Sequence, residues 1–293
     1  MAAERESFRK LPAFDAALAG LRADGLEIGK GRARAGFSRG HLLDLVLFDP
    51  AFRSNRDERA RQTADRVADA LFGAQLVDDW IGGIDVAPLG RGGPLNVVGD
   101  GDEQTLPLAD IQLAVLAAIE GLLAGLPDAP HHARAGAGEW TLFELEPERA
   151  DDVAAQNDLV LATTSEPELL KAFLQGLPLY SGRFSRHGEL YCYLKLDSGG
   201  RADDQRLAER SALEDAIGAA LVKAQAGCVV GNGLGLGYSY IDLAIADLLR
   251  AAPIVRECVQ AVGERAWLLF CDSDRAGDWL SLVDGSEPPP GLV

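Results

Sequence analysis

The sequence is poor in the residues that build most metal and redox sites. It has four histidines and four cysteines among 293 residues, and no two cysteines have the C-x-x-C spacing. Each cysteine lies in an apolar run, which predicts buried, reduced thiols. The pair His131–His132 lies in a Pro-, Gly- and Ala-rich connection and is interpreted as part of a loop. The sequence therefore predicts no metal ion and no cofactor.

Long apolar runs are also missing. The first residues, MAAERESFRK, contain no apolar signal-peptide segment, and no stretch approaches the roughly 18 uninterrupted apolar residues of a membrane span. We therefore expect a soluble, cytoplasmic protein that does not contact a membrane.

Basic residues are scarce relative to acidic ones. The chain has 28 Lys and Arg residues and 45 Asp and Glu residues, which gives a formal net charge of -17 at pH 7. This charge opposes sequence-independent binding to nucleic acid or to anionic lipid. A protein partner, in particular a basic one, is more compatible with it.

Several catalytic and nucleotide-binding motifs are absent. The sequence has no G-x-S-x-G or H-E-x-x-H motif. The stretch GNGLGLGYSY, which begins at Gly231, lacks the third glycine of G-x-G-x-x-G, and an alternating, strand-like segment follows it instead of a helix. We interpret it as a β-hairpin in which the glycines adopt positive backbone angles and leave one side of a strand bare.

What the sequence does contain is a regular succession of strands and helices. In the first half we predict a helix at 8–21, a strand within 36–50, a helix at 57–73, a strand at 80–89, a helix at 107–126 and a strand at 139–145. In the second half we predict a strand at 183–197, a helix at 203–226, two strands within 227–247, a helix at 248–262 and a strand at 266–272.

The two halves have similar element orders, and short sequence echoes support the similarity. Phe37-Ser38-Arg39 and Phe184-Ser185-Arg186 each precede the first strand of a half. We therefore predict an α+β protein of two tandem ferredoxin-like (βαββαβ) plaits with mainly antiparallel sheets, although short coincidences between similar strands are an alternative. The predicted segments are an N-terminal helix and connection (1–36), a first half (37–150), a connecting strand and helix (151–181) and a second half with a Pro-rich tail (182–293).

Strand alternation predicts a candidate partner surface. One face of each sheet should pack on helices, which leaves the other face open. The open faces carry polar and aromatic side chains, which are Tyr191, Tyr193, Lys195, Tyr240 and Asp242 in the second half and Asp85 in the first. Tyrosine suits a surface that meets another molecule. We expect these faces to contact a partner, to contact each other, or to meet across a homodimer.

Two arginines in matching loops are candidates for anion binding. Arg39 and Arg186 precede the first strands of the two halves, and guanidinium groups bind carboxylates and phosphates well. Pairing with the many carboxylates of the protein itself is the alternative.

The last predicted strand ends in a D-x-D pattern at Asp272 and Asp274. This fragment resembles the first motif of haloacid-dehalogenase-type phosphatases, and that resemblance implies an aspartyl nucleophile and a weak candidate Mg²⁺ site. In that family the other catalytic residues follow the motif, whereas only residues 275–293 follow it here. A turn or a helix cap at the strand end is the alternative interpretation.

The preferred functional hypothesis is a non-catalytic cytoplasmic binding protein that acts on a protein partner, with a regulatory or an immunity- or antitoxin-like role. The alternative is an enzyme or small-anion-binding protein with a site between the two halves. Its residues would be Asp242, Asp272, Asp274 and Arg186.

Overall fold

The computed structural model describes residues 11–28, 31–50, 52, 58–90, 93–94, 105–136, 138–147, 156, 158–197, 203–263, 265–283 and 287–289. These residues form a mixed α+β protein with seven α-helices and two sheets, in which most strand pairs are antiparallel. The chain divides into two compact units, Met1–Gly125 and Leu126–Val293.

The described part of the first unit contains four α-helices and five strands. The helices are α1 (Phe14–Ala23), α2 (Glu58–Phe72), α3 (Ala74–Trp80) and α4 (Leu108–Gly125). The strands are β1 (Arg32–Phe37), β2 (Leu43–Asp49), β3 (Ile81–Gly90), β4 (Gly93–Pro94) and β5 (Leu106–Pro107). Their order in the sheet is β4-β3-β2-β1-β5, with β2 and β3 parallel and the other neighbours antiparallel.

Apolar spacing explains the elements of this unit. Along β2, Leu43, Leu45 and Leu47 are buried whereas Asp44 is exposed, as the alternation of the strand predicts. Helix α2 buries a stripe of residues at helical spacing, which are Ala60, Ala64, Val67, Ala68 and Leu71. These side chains form a core between the helix and the sheet.

Helix α4 is the one described helix that is long and apolar enough to cross a membrane, by length and composition. The core helix of a soluble protein meets the same criterion. Leu108, Ile111, Val115 and Ile119 of this helix are buried and recur every three or four residues, which is the stripe expected of a helix that packs on a core.

The described part of the second unit contains three α-helices and seven strands. The helices are α5 (Pro167–Leu174), α6 (Asp203–Ala224) and α7 (Leu248–Val262). The strands are β6 (Thr141–Glu144), β7 (Leu159–Thr164), β8 (Leu190–Asp197), β9 (Gly227–Gly235), β10 (Tyr238–Ile245), β11 (Ala266–Phe270) and β12 (Trp279–Ser281). The sheet order is β12-β11-β8-β10-β9-β7-β6, and every neighbouring pair is antiparallel.

Both faces of this second sheet are covered in its centre. One face packs Leu194 and Ile241 against Ile217 of α6 and Val255 of α7. The opposite face is covered by α5 and by the segment that precedes β8, and its core includes Leu159, Leu170, Tyr193, Tyr240 and Trp267. Strand alternation therefore assigned each residue to the correct face, but the expectation that the tyrosine-bearing face is open is wrong.

The arrangement of two tandem ferredoxin-like plaits is not confirmed. In the first unit β2 and β3, which are connected through α2 and α3, are parallel neighbours. In the second unit the sheet has seven described strands, with β6, β7 and β12 added to the four central ones. Strand β6, which the sequence analysis placed in the first half, pairs with β7 at the edge of the second sheet.

Candidate functional site

The glycine-rich stretch forms the hairpin of β9 and β10, and its glycines make room for other side chains. A Cβ atom on Gly231 would lie 2.5 Å from Asp242 Oδ2, while Cβ atoms on Gly233 and Gly235 would meet Leu159 and Asp158 even more closely. The prediction that glycine bares one side of the strand is confirmed. The predicted positive backbone angles are not found, because these glycines are not among the residues with positive φ.

Asp158 holds the tip of this hairpin. Its carboxylate accepts hydrogen bonds from the backbone N–H groups of Gly237 (2.9 Å) and Tyr238 (3.1 Å) and from the hydroxyl of Tyr240 (2.5 Å). The Asp158 side chain occupies the space that Gly235 leaves empty. The hairpin thus binds an aspartate of its own chain, which leaves no anion cradle at this position.

Four of the predicted partner-surface residues are sealed inside the second unit. The exposed fractions are 1% for Tyr191, 3% for Tyr193, 1% for Lys195 and 0% for Tyr240. Burial lowers the pKa of Lys195 to about 8, although the nearby Asp158 opposes this change. The Lys195 Nζ atom lies 4.3 Å from the centroid of the Tyr238 ring. An apolar, aromatic face of this kind is more stable under a covering layer than in water.

Asp242 lies beside a small internal cavity. Gln156 Nε2 donates a hydrogen bond of 2.8 Å to its Oδ1 atom, and Thr164 and Cys271 also line the space. Burial raises the pKa of Asp242 to about 6, although the hydrogen bond from Gln156 lowers it in part. Within the described residues the cavity has room for little more than a water molecule, which is too small for a substrate.

The two aspartates of the D-x-D pattern have different environments. Asp272 is buried and accepts hydrogen bonds from the backbone N–H (2.7 Å) and hydroxyl (2.5 Å) of Ser181. Asp274 is exposed. Among the described residues, no three His, Cys, Asp or Glu side chains are grouped to hold a metal ion. Asp272 therefore anchors the turn before β8. Its side chain makes no cap hydrogen bond to the 3-10 turn Ser273–Arg275, so the helix-cap interpretation does not describe it.

The remaining sequence-predicted residues belong to different units. Arg186 forms an ion pair with Asp128 in the second unit, which is the alternative considered for it above. Arg39 is exposed and lies in the first unit, as does Asp85 on β3.

A buried ionic cluster that the sequence analysis did not identify is centred on His131. Its Nδ1 atom lies 2.7 Å from Glu189 Oε2, and its Nε2 atom lies 2.7 Å from Glu166 Oε1. The backbone N–H of His131 donates to Glu189 Oε1 (2.7 Å), and the Ser185 hydroxyl donates to Glu189 Oε2 (2.7 Å). We call these four residues the His131 cluster.

The two carboxylates keep His131 protonated. Burial alone would lower the pKa of His131, but the hydrogen bonds and negative charges of Glu166 and Glu189 outweigh it and raise the pKa to about 9. The pKa of Glu189 is lowered, because the bonds and positive charge of His131 exceed the opposing effect of burial. An imidazolium with both nitrogens engaged is neither a general base nor a metal ligand.

A shallow cleft adjoins the His131 cluster. It is lined by His131, Arg134, Trp140, Ser165 and Glu166. The cleft has room for only a few water-sized groups, so it suits the end of a side chain better than a whole small molecule. Trp140 lines this cleft and directly precedes β6, so the cleft lies next to the edge of the sheet.

Strand β6 and its flanking residues present apolar and acidic side chains to solvent. Trp140 is 44% exposed and Leu142 is 58% exposed. Glu139, Glu144 and Glu146 are also exposed, and no Lys or Arg lies between them. We call residues 139–146 the edge surface.

The backbone of the edge surface is open on one side. Strand β6 pairs with β7 and, within the described residues, with no other strand. Thr141 lies opposite Thr164, and the Leu145 N–H donates to Val160 O (2.9 Å) in the same register. The Leu145–Val160 pair is therefore a hydrogen-bonded pair of the antiparallel ladder. Because hydrogen-bonded and non-hydrogen-bonded pairs alternate, Leu142 and Glu144 belong to non-hydrogen-bonded pairs and direct their N–H and C=O groups away from β7.

No family model matches the chain, and no curated protein or solved structure is significantly similar to it.

Proposed function

We propose that this protein is a non-catalytic binding protein that captures a basic segment of a protein partner at the edge surface. The observation that carries the proposal is the combination of exposed Trp140 and Leu142 with three exposed glutamates on one open sheet edge. Tryptophan is enriched among the residues that contribute most to binding energy. A regulatory or neutralising role in the cytoplasm, as in immunity proteins and antitoxins, fits a protein that binds without chemistry.

Charge selects the partner class. Proteins protect exposed sheet edges with charged side chains, because an unprotected edge pairs with other chains. The glutamates of the edge surface oppose pairing with a second copy, since like charges on neighbouring strands are destabilising. They favour a basic chain instead, and the overall charge of -17 attracts such a chain over longer distances. The same glutamates thus attract a basic partner and repel a second copy of this chain.

The contacts of the ionisable residues in the second unit favour a binding function over a catalytic one. Both ring nitrogens of His131 face carboxylates, Asp272 accepts hydrogen bonds from Ser181, and Asp158 holds the hairpin. Within the described residues these groups are engaged in structural contacts. A reaction would require them to be free for substrate.

The fold of the second unit fits a small interaction domain. Its central strands have the order β11-β8-β10-β9, with α6 between β8 and β9 and α7 between β10 and β11. This is the βαββαβ order of a ferredoxin-like plait, and we assign that fold to residues 190–270. Strands β7 and β6 extend the plait on one side and bring the edge surface to its rim.

The proposal is tested with a basic peptide and two charge-matched variants. The probe is the fluorescently labelled peptide Lys-Thr-Lys-Thr-Val-Thr-Val, and its binding is measured by fluorescence anisotropy at low salt. The first variant carries Glu139→Gln, Glu144→Gln and Glu146→Gln. The control variant carries Glu27→Gln, Glu58→Gln and Glu257→Gln, which are exposed glutamates elsewhere in the chain.

We expect the edge variant to bind the peptide roughly tenfold more weakly, because the loss of two exposed Glu–Lys pairs at up to about 1 kcal/mol each, with the weaker attraction of Glu139, amounts to about 1.4 kcal/mol. The control variant should change affinity less than about twofold. Equal losses in the two variants would mean that only the net charge attracts the peptide, and the proposed site would then be incorrect.

A further inference from the structure

We infer that the partner segment binds as an added antiparallel strand on β6, with its basic residues opposite Glu146 and Glu144 and its apolar residues opposite Leu142 and Trp140. This inference rests on the proposed function and specifies how the edge surface recognises its partner.

The backbone of β6 offers hydrogen-bonding groups to a further strand. Leu142 and Glu144 direct two N–H and two C=O groups away from β7, in the positions that accept a further strand. Main-chain hydrogen bonds supply affinity in this recognition mode, and pockets or charges on alternate side chains supply specificity. All neighbouring strands in this sheet are antiparallel, so the added strand continues the existing pattern.

The side chains of the edge surface determine the partner sequence that fits. Alternation places Trp140, Leu142, Glu144 and Glu146 on one face of the strand, with the apolar pair at the start and the acidic pair at the end. Phe143, on the other face, packs against the core that contains Tyr240. An antiparallel partner therefore needs the order basic-x-basic-x-apolar-x-apolar in its own sequence.

The charge pattern argues against a second copy as the occupant. Antiparallel pairing of two β6 strands would gather six glutamates at one seam, since each edge surface has three of them and no Lys or Arg. Six like charges gathered along one seam repel one another even where no two of them lie directly opposite. A basic partner avoids this repulsion and is therefore the occupant that the charge of the edge surface favours.

The decisive experiment uses two N-methylated forms of the peptide Lys-Thr-Lys-Thr-Val-Thr-Val. In the predicted register, its third and fifth residues lie opposite Glu144 and Leu142 and direct their N–H groups toward β6. Methylation of those two nitrogens should weaken binding at least tenfold. Methylation of the second and fourth residues, whose N–H groups point away, should change affinity less than about threefold. Equal effects of the two methylation patterns would overturn the inference.

A matched pair of protein variants gives an independent measurement. Leu142→Pro removes an outward N–H, and proline is tolerated where the N–H faces solvent at a sheet edge. Leu142→Val retains the N–H. We expect at least tenfold weaker peptide binding for the proline variant only, with melting temperatures of both variants within a few degrees of the wild-type value. If Leu142→Pro fails to fold, hydrogen exchange of the wild-type protein replaces it, and exchange at Leu142 and Glu144 should slow on peptide binding.

The outcomes separate this inference from the proposed function. If the triple glutamate variant binds the peptide more weakly but the two methylated peptides bind equally, the proposal of a basic partner is supported and the inference of strand addition is wrong. If the unmodified peptide does not bind at all, both the proposed function and the inference of strand addition are wrong. If sedimentation shows a dimer of the free protein that Leu142→Pro dissociates, a second copy occupies the edge and the basic partner is incorrect.

Discussion

At the scale of single residues, the hairpin of β9 and β10 shows how glycine can act through the side chains of other residues. Gly231, Gly233 and Gly235 have ordinary strand backbones, yet Asp242, Leu159 and Asp158 occupy the positions where their Cβ atoms would lie. The sequence showed the glycines, and the prediction of a bared strand followed from them. The occupants were not predictable, because Asp158 is 77 residues from Gly235 and no local pattern relates the two.

Gly235→Ala should destabilise the protein by roughly 2–4 kcal/mol, because the added methyl group displaces the Asp158 carboxylate from three hydrogen bonds. Gly237→Ala is the matched control, since the nearest atom to its Cβ would be Asp158 Oδ2 at 3.9 Å. Urea unfolding of the two variants measures the difference. Similar midpoints for both would show that Asp158 does not hold the hairpin as described.

At the scale of elements, the His131 cluster connects parts of the second unit that are distant in sequence. His131 lies in a short 3-10 turn, Glu166 directly precedes α5, and Glu189 directly precedes β8. The cluster therefore joins the ends of these elements at one side of the sheet. A buried ion pair contributes little net stability compared with an apolar replacement, but loss of one partner leaves an unpaired buried charge and costs about 3–5 kcal/mol.

The stability of the protein should fall as the pH rises through about 9, the raised pKa of His131. A group whose folded pKa lies above its unfolded value of about 6.5 contributes stability that is complete below pH 6.5 and is lost above the folded pKa. The full contribution is about 3 kcal/mol. Unfolding free energies of the wild type and of His131→Asn, measured between pH 6 and 10, should therefore converge at the alkaline end.

His187→Asn is the control for this pH series, since the described hydrogen bonds of His187 join its ring to the Pro127 carbonyl and its backbone N–H to the Ser185 hydroxyl, with no carboxylate among the partners. It should retain the pH dependence of the wild type. A constant difference between the wild type and His131→Asn across the range would show that His131 is not held as an imidazolium.

At the scale of the whole molecule, the chain forms two units, and each sheet takes its described strands from one of them. The elements themselves were largely predictable, because β2, α2, α6, α7 and the strands between them have clear periodicity. Their assembly was not, because β6 and the segment around α5 have no pattern that specifies which sheet they join. This is why the tyrosine-bearing face was expected to be open and the edge surface was missed.

A fragment of residues 126–293 should fold independently and keep a cooperative thermal transition, because all seven described strands of its sheet lie within it. A fragment of residues 151–293, which follows the boundary expected from the sequence, lacks β6 and His131 and leaves the buried Glu189 without its partner. It should melt about 10 °C lower, since a loss of 3–5 kcal/mol corresponds to that shift in a domain of this size. Calorimetry of the two fragments measures this, and equal melting temperatures would contradict the assigned role of β6 and His131.

The sequence by itself determined the helices and strands, the inward side of each and the acidic character of the surface, because these depend on local periodicity and composition. The tertiary structure alone decided which polar groups meet and which faces are covered. His131 meets Glu166 and Glu189, the central tyrosines lie beneath α5, and β6 pairs with no described strand on its outer side. These contacts join residues tens of positions apart, and their energies depend on distance and burial, which no local pattern in the sequence records.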